Sequence, residues 1–404
     1  MNPDMMRAID KYVGVPLCFL LSLVVSFQRL LGFRKPKQGY KPKKILFLEL
    51  SEMGSTILAY SAMKKAKELF NAELYFMIFK ENRASIDLLD IIPEKNVITI
   101  RSGNFFVLTF DTLRAIIKTR SLRIDTVVDL ELFSRFTSIL SFFTGAKAVS
   151  GFYKYHMEGL YRGNIQTHRV MYNPHYHISQ SFMALVYALL EDPQSSEPMV
   201  KRVISMGEIV ACSVTSDGKA KGAIYAKLKA LNADIDEKSR IVLLNPNASD
   251  LLPIRKWPLG NFQKLAAELL KDKQTFIVVT GVEKEKPDAD AIVNHVKNDR
   301  CLDFTGKTSM PELIDLYNVS DYLITNDSGP AHFSSLTPIK TIVFFGPETP
   351  ALYKPLSKNC TALYSSMACS PCVSAFNHRK TSCNDNKCLQ AISLNQVLKL
   401  VRGA

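Results

Sequence analysis

The sequence predicts two doubly wound α/β domains preceded by an apolar helix. Three observations carry that expectation. Strand-length apolar runs alternate with helix-length amphipathic stretches from Lys44 to about residue 153, and the same alternation restarts at Ile241. Between them, Glu191-Asp192-Pro193-Gln194-Ser195-Ser196-Glu197-Pro198 has the composition of a linker. At 404 residues the chain is also too long for one ordinary core. The expected segments are 1–42 (membrane-associating helix and basic linker), 43–190 (first Rossmann-like domain), 191–238 (linker and connecting helix) and 239–404 (second Rossmann-like domain). The two halves are expected to face each other across a cleft.

Taken in order, residues 44–50 (KILFLEL) read as a buried first strand followed by the turn Ser51-Glu52-Met53-Gly54-Ser55. A helix is expected over 56–70, a strand over 72–79, a helix over 80–89, a strand over 97–100 and a helix over 106–119. The strand 125–130 and the helix 134–143 follow, and 148–153 is read as the strand that closes this sheet. Residues 154–180, rich in Tyr, His and Asn and without clear periodicity, read as a functional loop. A helix over 179–190 precedes the linker and another over 218–232 follows it. The second half then runs strand 241–245, helix 258–271, strand 275–280, helix 287–298, strand 301–304, helix 310–318, strands 320–325 and 341–345, and a closing helix near 392–402.

The formal net charge of +13 points to nucleic acid, an anionic membrane or anionic substrates. The basic residues are not interleaved with aromatics in an RNA-binding pattern, so nucleic acid is set aside as a partner. The N-terminus favours the membrane. Residues 12–33 contain an uncharged apolar run, Tyr12–Phe27, and Arg29, Arg34, Lys35, Lys37, Lys41, Lys43 and Lys44 follow it. A secretory signal carries its positive charge ahead of the apolar run. A basic flank behind it suits either an in-plane helix or a single span with the body in the cytoplasm, held to anionic lipid. The alternative is an apolar helix packed on the body.

Within the second half, residues 324–347 read as strand, turn, helix, turn, strand. Asn326-Asp327-Ser328-Gly329-Pro330 has turn chemistry and a proline suited to a first helical turn. Ser328 or Asp327 is expected to cap that helix. Its amides would lie at the carboxyl end of a strand, where open α/β sheets bind ligands, and would favour a phosphate. Asp327 itself suits sugar or ribose hydroxyls, because a carboxylate repels anions. Asp288-Ala289-Asp290 resembles a metal-binding DxD but opens an expected helix, and is read as a charge effect at a helix N-terminus. Four of the eight cysteines, Cys369, Cys372, Cys383 and Cys388, fall in one segment with His378 among them. The second pair is wider than a zinc knuckle, so a packed or redox-active thiol cluster is preferred to a metal site.

Several ordered motifs together resemble glycosyltransferase family 9, the lipopolysaccharide heptosyltransferases. TNDSGPAH (325–332) followed by FFGP (344–347) looks like the family signature. RKWPLGNFQKLA (255–266) is similar to its lysine-tryptophan-proline segment, and TGVEKE (280–285) to its glycine-to-glutamate turn. GKTSMPELIDLYNVSDYLITNDSG (306–329) and ILFLELSEMGSTILAYSAMKKA (45–66) fit in order, so that the resemblance covers roughly 43–390. It implies a GT-B fold, inversion at the anomeric carbon, no obligatory metal or other cofactor, and ADP-heptose or another nucleotide sugar as donor substrate. Donor binding would involve Ser328 and Gly329 amides, Lys256 with Arg255 on the diphosphate, Glu285 (Glu283 its rival) on ribose hydroxyls, and Asn247, Asp327 and His332 at the same edge.

One departure matters. The family has Gly-Asp in the first turn, and that aspartate is taken as the base that deprotonates the acceptor; here the positions are Gly54-Ser55. A serine hydroxyl does not ionise near neutral pH. Glu52 is therefore the first candidate for catalytic base, with Ser55 beside it. A histidine among His156, His168, His175 and His177 is the second, and a catalytically silent protein the third. The reading is a bacterial transferase at the cytoplasmic face of the inner membrane, acting on a lipid-linked or lipopolysaccharide-type glycan acceptor. The alternatives are a silent nucleotide-sugar-binding protein and a GT-B-like sugar-nucleotide epimerase.

Overall fold

The computed structural model describes residues 3–32, 39–132, 134–153, 161–193, 200–248, 252–377 and 379–403. Arg34, Lys35 and Lys37 of the basic flank, residues 194–199 of the linker, His156 and His378 lie outside the described residues. The chain forms two compact units: residues 1–210 with 375–379, and 211–374 with 380–404.

The first unit opens with helices α1 (Pro3–Tyr12) and α2 (Gly14–Leu30), then β1 (Lys44–Leu48), α3 (Met53–Leu58), α4 (Tyr60–Phe70), β2 (Glu73–Phe79), α5 (Ala84–Asp87), β3 (Val97–Ile100), α6 (Phe105–Ser121), β4 (Thr126–Asp129), α7 (Arg135–Thr144), β5 (Ala148–Phe152), β6 (His168–Val170) and α8 (Ile178–Tyr187). All pairings are parallel, in the order β3-β2-β1-β4-β5-β6. The central strands are buried on both faces, as a parallel sheet covered by helices requires. Local signals set the boundaries: Asn104 and Ser134 cap α6 and α7 through their side chains, and Gly145 ends α7 in the left-handed region at φ 76°.

The second unit comprises α9 (Gly218–Lys229), β7 (Arg240–Asn245), α10 (Leu259–Leu269), β8 (Thr275–Val279), α11 (Lys286–Val296), β9 (Cys301–Asp303), α12 (Met310–Asn318), β10 (Tyr322–Asn326), α13 (Gly329–Ser334), β11 (Lys340–Phe345), α14 (Pro350–Tyr353), β12 (Cys360–Tyr364), α15 (Lys387–Gln390) and α16 (Leu394–Arg402). Its sheet runs β9-β8-β7-β10-β11-β12, again all parallel. Each sheet therefore has a topological switch point, between β1 and β4 in one and between β7 and β10 in the other, and ligand sites of open α/β sheets sit at such points.

Several expectations need correction. Strand 148–153 does not close the first sheet; β6, inside the stretch read as loop, pairs outside it. Three residues, one of them the half-buried Arg169, are too short to show a period. The edge strand β12 also escaped notice, because only its first residue is buried. The helix expected over 80–89 is reduced to a 3₁₀ turn at Lys80–Asn82 and the four-residue α5, since Asn82 turns its amide to the Leu50 carbonyl (3.0 Å). The helix expected over 56–70 starts three residues early and breaks at Ala59.

Helix α2 rests on the first unit along one side. Gly14, Cys18 and Val25 are buried, Ser22 Oγ accepts a hydrogen bond from the Asn164 amide (2.7 Å), and Arg29 donates to the Gln166 carbonyl (2.9 Å). A side chain at Gly163, where φ is 77°, would run into the Cys18 carbonyl. The Asp10 carboxylate accepts from the backbone amides of Arg135 and Phe136 at the start of α7 and pairs with the Arg135 guanidinium.

Candidate active site

At the second switch point, the loop after β7 is anchored by the chain's single tryptophan. Trp257 is buried, stacks on Phe344 of β11 (4.5 Å) and meets Phe262 of α10 edge-on. Its indole N–H donates to the Ile392 carbonyl (3.0 Å). Asn326, at the end of β10, accepts from the Trp257 amide (2.7 Å) and donates to the carbonyls of Pro246 and Asn247. Asn386 holds the same loop from its other side through the carbonyls of Ile254 and Lys256.

That frame fixes two cations. Arg255 is mostly buried and pairs with Asp327 (3.3 Å), leaving its Nε without a hydrogen-bond partner among the described residues. Lys256, one-third exposed, reaches Asp288 (3.0 Å) and Asn247 Oδ1 (3.5 Å). Asn247 is buried, and its Nδ2 has no hydrogen-bond partner among the described residues. It lies beside Gly281, where an added Cβ would come within 2.8 Å of Glu285 Oε2 and 3.2 Å of Asn247 Nδ2. A larger residue there would push these two side chains aside. Glu285 accepts from the Val282 amide (2.9 Å), and exposed Glu283 lies against Gly306. An open cavity of about 990 Å³, lined among others by Lys256, Asp288, Asn384 and Asn386, adjoins this cluster.

The expected caps of α13 are not made. Ser328 occupies the N-cap position, but its hydroxyl donates to the Asn326 carbonyl (3.2 Å), and the Asp327 carboxylate goes to Arg255. Gly329 begins the helix and His332 is buried within it. Asp288 lies in the first turn of α11, as expected, but also pairs with Lys256, a contact that sequence alone does not show. Cys369 and Cys383 are exposed, Cys372 is partly buried and Cys388 is buried. Among the described residues no group of three or more His, Cys, Asp or Glu is placed to hold a metal ion.

The first switch point is acidic. Glu49 follows β1, Glu52 caps α3 by position, Asp129 ends β4, and Glu131 comes two residues later. Glu131 accepts from the amides of Leu50 and Ser51 and from the Ser51 hydroxyl, so it shapes the turn that carries Glu52. Burial, with the Glu52 charge nearby, pushes its carboxyl up to about 7. Burial and then Glu131 push Glu49 well above the carboxylate range. Asp129 is fully buried against Arg162, which also donates to the carbonyls of Glu131 and Ser134. Glu52 accepts from Ser55 Oγ (2.9 Å) and is ion-paired with Arg379.

Sequence reasoning missed Glu49, Asp129, Glu131, Arg162 and Arg379. The available signal was a carboxylate at the end of each of two apolar runs, in LFLELSE and TVVDLE. The histidines fare differently. His168 on β6 is buried, which lowers its pKa to about 4, and its Nδ1 meets Thr167 Oγ1. His177 is the buried N-cap of α8, bonded to Ser179, while His175 is exposed. Burial makes His168 and His177 poor candidates for taking an acceptor proton.

The sequence profile of glycosyltransferase family 9 (heptosyltransferase) matches residues 125–382, well over half of the chain. The chain belongs to glycosyltransferase family 9. A lipooligosaccharide heptosyltransferase 2 from Campylobacter jejuni is 27% identical over 179 residues, 44% of this chain and 55% of that protein. The chain thus spans about half the length of the curated relatives it matches. Among solved structures, ADP-heptose lipopolysaccharide heptosyltransferase II from Escherichia coli superposes with a TM-score of 0.68 at 16% identity, over 89% of this chain and 98% of the other. A family 9 glycosyltransferase from Veillonella parvula gives 0.70 at 16% identity, over 90% and 97%. These likenesses show that this family 9 chain has the GT-B fold.

Proposed function

We propose that this chain is an inverting glycosyltransferase of lipopolysaccharide biosynthesis. It would move heptose or a similar sugar from ADP-heptose, or another nucleotide sugar, to a lipid-linked or lipopolysaccharide-type acceptor. The observation that carries the reading is the pair Arg255–Lys256, held on the Trp257-anchored loop at the β7/β10 switch point beside Asn247 and Asp327. Two cations and an unfilled amide at strand ends suit a diphosphate, and the E. coli relative named above is an ADP-heptose enzyme.

In such a transfer the acceptor hydroxyl oxygen bonds to the anomeric carbon, while the bond from that carbon to the diphosphate oxygen breaks. The nucleoside diphosphate leaves with the electron pair, and Arg255 and Lys256 would stabilise its charge. The acceptor proton passes to a base. Glu52 is our candidate, with Ser55 and Arg379 orienting its carboxylate. Helices α1 and α2 support work at a membrane: Met5–Leu30, which runs through both, is long and apolar enough to cross one, and α2 carries exposed Phe19, Leu23 and Phe27 on its outer face. The cytoplasmic face of the bacterial inner membrane fits the basic residues behind this segment.

Titration calorimetry with ADP-heptose is expected to show binding that falls about tenfold or more in Lys256→Ala, in line with loss of a charged hydrogen bond. Asp327→Ala is expected to abolish transfer to lipopolysaccharide-core acceptors while the protein stays folded. Near-normal turnover in that variant would remove the 325–332 motif from the site. A second reading, a donor-binding protein without transfer, is favoured by Ser55 at the family's aspartate position. Donor binding with no product on any such acceptor would select it.

A further inference from the structure

Helix α6 carries an apolar stripe that the transfer reaction does not use. Phe106 is 83% exposed, and Phe110, Leu113 and Ile117 are each more than half exposed. At 3.6 residues per turn these four fall within a sector of about 60° and form a ridge about 16 Å long. The opposite side does the packing: Leu108 and Ile116 meet the first unit's core, and Ala115 and Thr119 are buried. The ridge is therefore not the helix's core face turned outward. Such a contiguous exposed apolar patch on a soluble surface marks an interaction site.

Its surroundings are basic. Within α6 the only acidic residue is Asp111, buried and paired with Arg101, whereas Arg114 and Lys118 are exposed along one edge of the ridge. The ridge helix and the apolar helix α2 both flank α7. Helix α7 packs against both α6 and α2, and Met6 of α1, Leu108 of α6 and Phe136 of α7 all pack on one core cluster, so these helices cover one face of the first sheet. Phe143 of α7 is partly exposed as well. On α2 the positions 14, 18, 22 and 25 rest on the protein while Phe19, Leu23 and Phe27 are exposed, which leaves one side for lipid and not the whole circumference.

We propose that α6 is a second membrane-inserting element. Phe106, Phe110, Leu113 and Ile117 enter the headgroup–acyl boundary of an anionic bilayer, Arg114 and Lys118 meet its phosphates, and α2 lies in the same plane instead of spanning. An amphipathic helix with aromatics on one face and cations beside them binds anionic interfaces in this way. The inference rests on the membrane attachment proposed above, and adds that the first unit is seated on the bilayer by two helices.

The test uses the full chain with vesicles of phosphatidylglycerol and phosphatidylethanolamine. Phe106→Trp places an exposed indole on the ridge, against the background of the buried Trp257. Its emission should shift to the blue on vesicles and be quenched by brominated acyl chains beyond the wild-type level. Phe106→Ser/Phe110→Ser should sediment with vesicles about tenfold less or worse, with unchanged circular dichroism. If the Phe106→Trp protein sediments with vesicles but its added indole is not quenched, α6 stays out of the bilayer and this inference falls while attachment through α2 stands. If wild-type protein does not sediment at all, both fall. If the double-serine variant turns a dimer into a monomer without altering vesicle binding, the ridge faces a second copy and the inference is overturned.

Discussion

The two sheets have the same strand order and opposite chemistry at the same place. In the first unit the strand ends at the switch point carry Glu49, Glu52, Asp129 and Glu131, with Arg162 buried among them and Arg379 on Glu52. In the second they carry Asn245, Asn247 and Asn326, with Arg255 and Lys256 on the adjoining loop and Asp327 and Asp288 as their partners. The topology makes both edges places where polar groups can sit at the margin of an apolar sheet. Residue type then decides what each edge can handle. Clustered carboxylates hold and exchange protons, whereas amides and cations hold an anion. One fold can offer two kinds of edge because position comes from the backbone and chemistry from a few side chains.

The contrast can be broken from either side. The largest effect is expected for Glu52→Gln, which should lower transfer by about 10²–10⁴-fold, the usual contribution of a positioned base. Donor affinity measured by calorimetry should barely change. Loss of donor binding as well would make the acidic edge part of the anion site and dissolve the contrast.

Next is Arg162→Ala. It leaves Asp129 buried without its cation, and should destabilise the first unit by about 3–5 kcal/mol in urea denaturation. A loss below about 1 kcal/mol would mean that Asp129 is not held as a charged partner.

Asn326→Ala should cost the second unit about 1–3 kcal/mol, since it strands the Trp257 amide and two carbonyl partners. It should also weaken donor binding through the displaced Arg255–Lys256 loop. Unaltered affinity would show that the loop needs only Trp257 and Asn386.

The smallest effect is a difference in pH dependence. The Glu131 carboxyl is raised from its ordinary 4.5 to about 7, so the folded first unit holds a proton that the unfolded chain gives up. That stabilisation is fully present below about pH 4.5 and is lost as pH rises through about 7, at no more than about 1.4 kcal/mol per pH unit. In the second unit Glu312 runs the other way. Its pKa is held down to about 2, chiefly by Lys227, so its contribution persists above pH 4.5 and is lost as pH falls through about 2. The single tryptophan reports the second unit, and circular dichroism reports both. As pH falls from 7 to 4.5 the dichroism midpoint of the first unit should rise with little movement in fluorescence, and Glu131→Gln should reduce the rise to the part that Glu49 contributes. Parallel shifts in both signals, unaffected by that substitution, would contradict it.

Much of this architecture is legible without coordinates. The apolar runs at 45–48, 74–79, 241–244, 275–279 and 341–345 have no polar alternation, and only a sheet covered on both faces buries them. The turns 51–55 and 326–330 interrupt such runs with residues that end strands, so the two strand edges at the switch points are legible in the sequence. Lys256 before Trp257-Pro258 was legible as a motif, whereas the anchoring of its loop through Asn326 and Asn386 was not. The short β6 and the half-exposed β12 were not legible, because a strand that has only one neighbour and few buried positions has no period to read.

What residue order determines by itself here is periodicity, and periodicity depends only on neighbours a few residues apart. It set the strands, the helices and the apolar ridges of α2 and α6. Tertiary structure decided which polar residues share a site. Glu131 lies 80 residues from Ser51, Arg162 lies 33 from Asp129, and Arg379 lies 327 from Glu52. A charge in a sequence reads as solvated until something buries it beside a partner. At these distances the partner is chosen by the sheet, which brings distant strand ends together, and not by the spacing of residues along the chain.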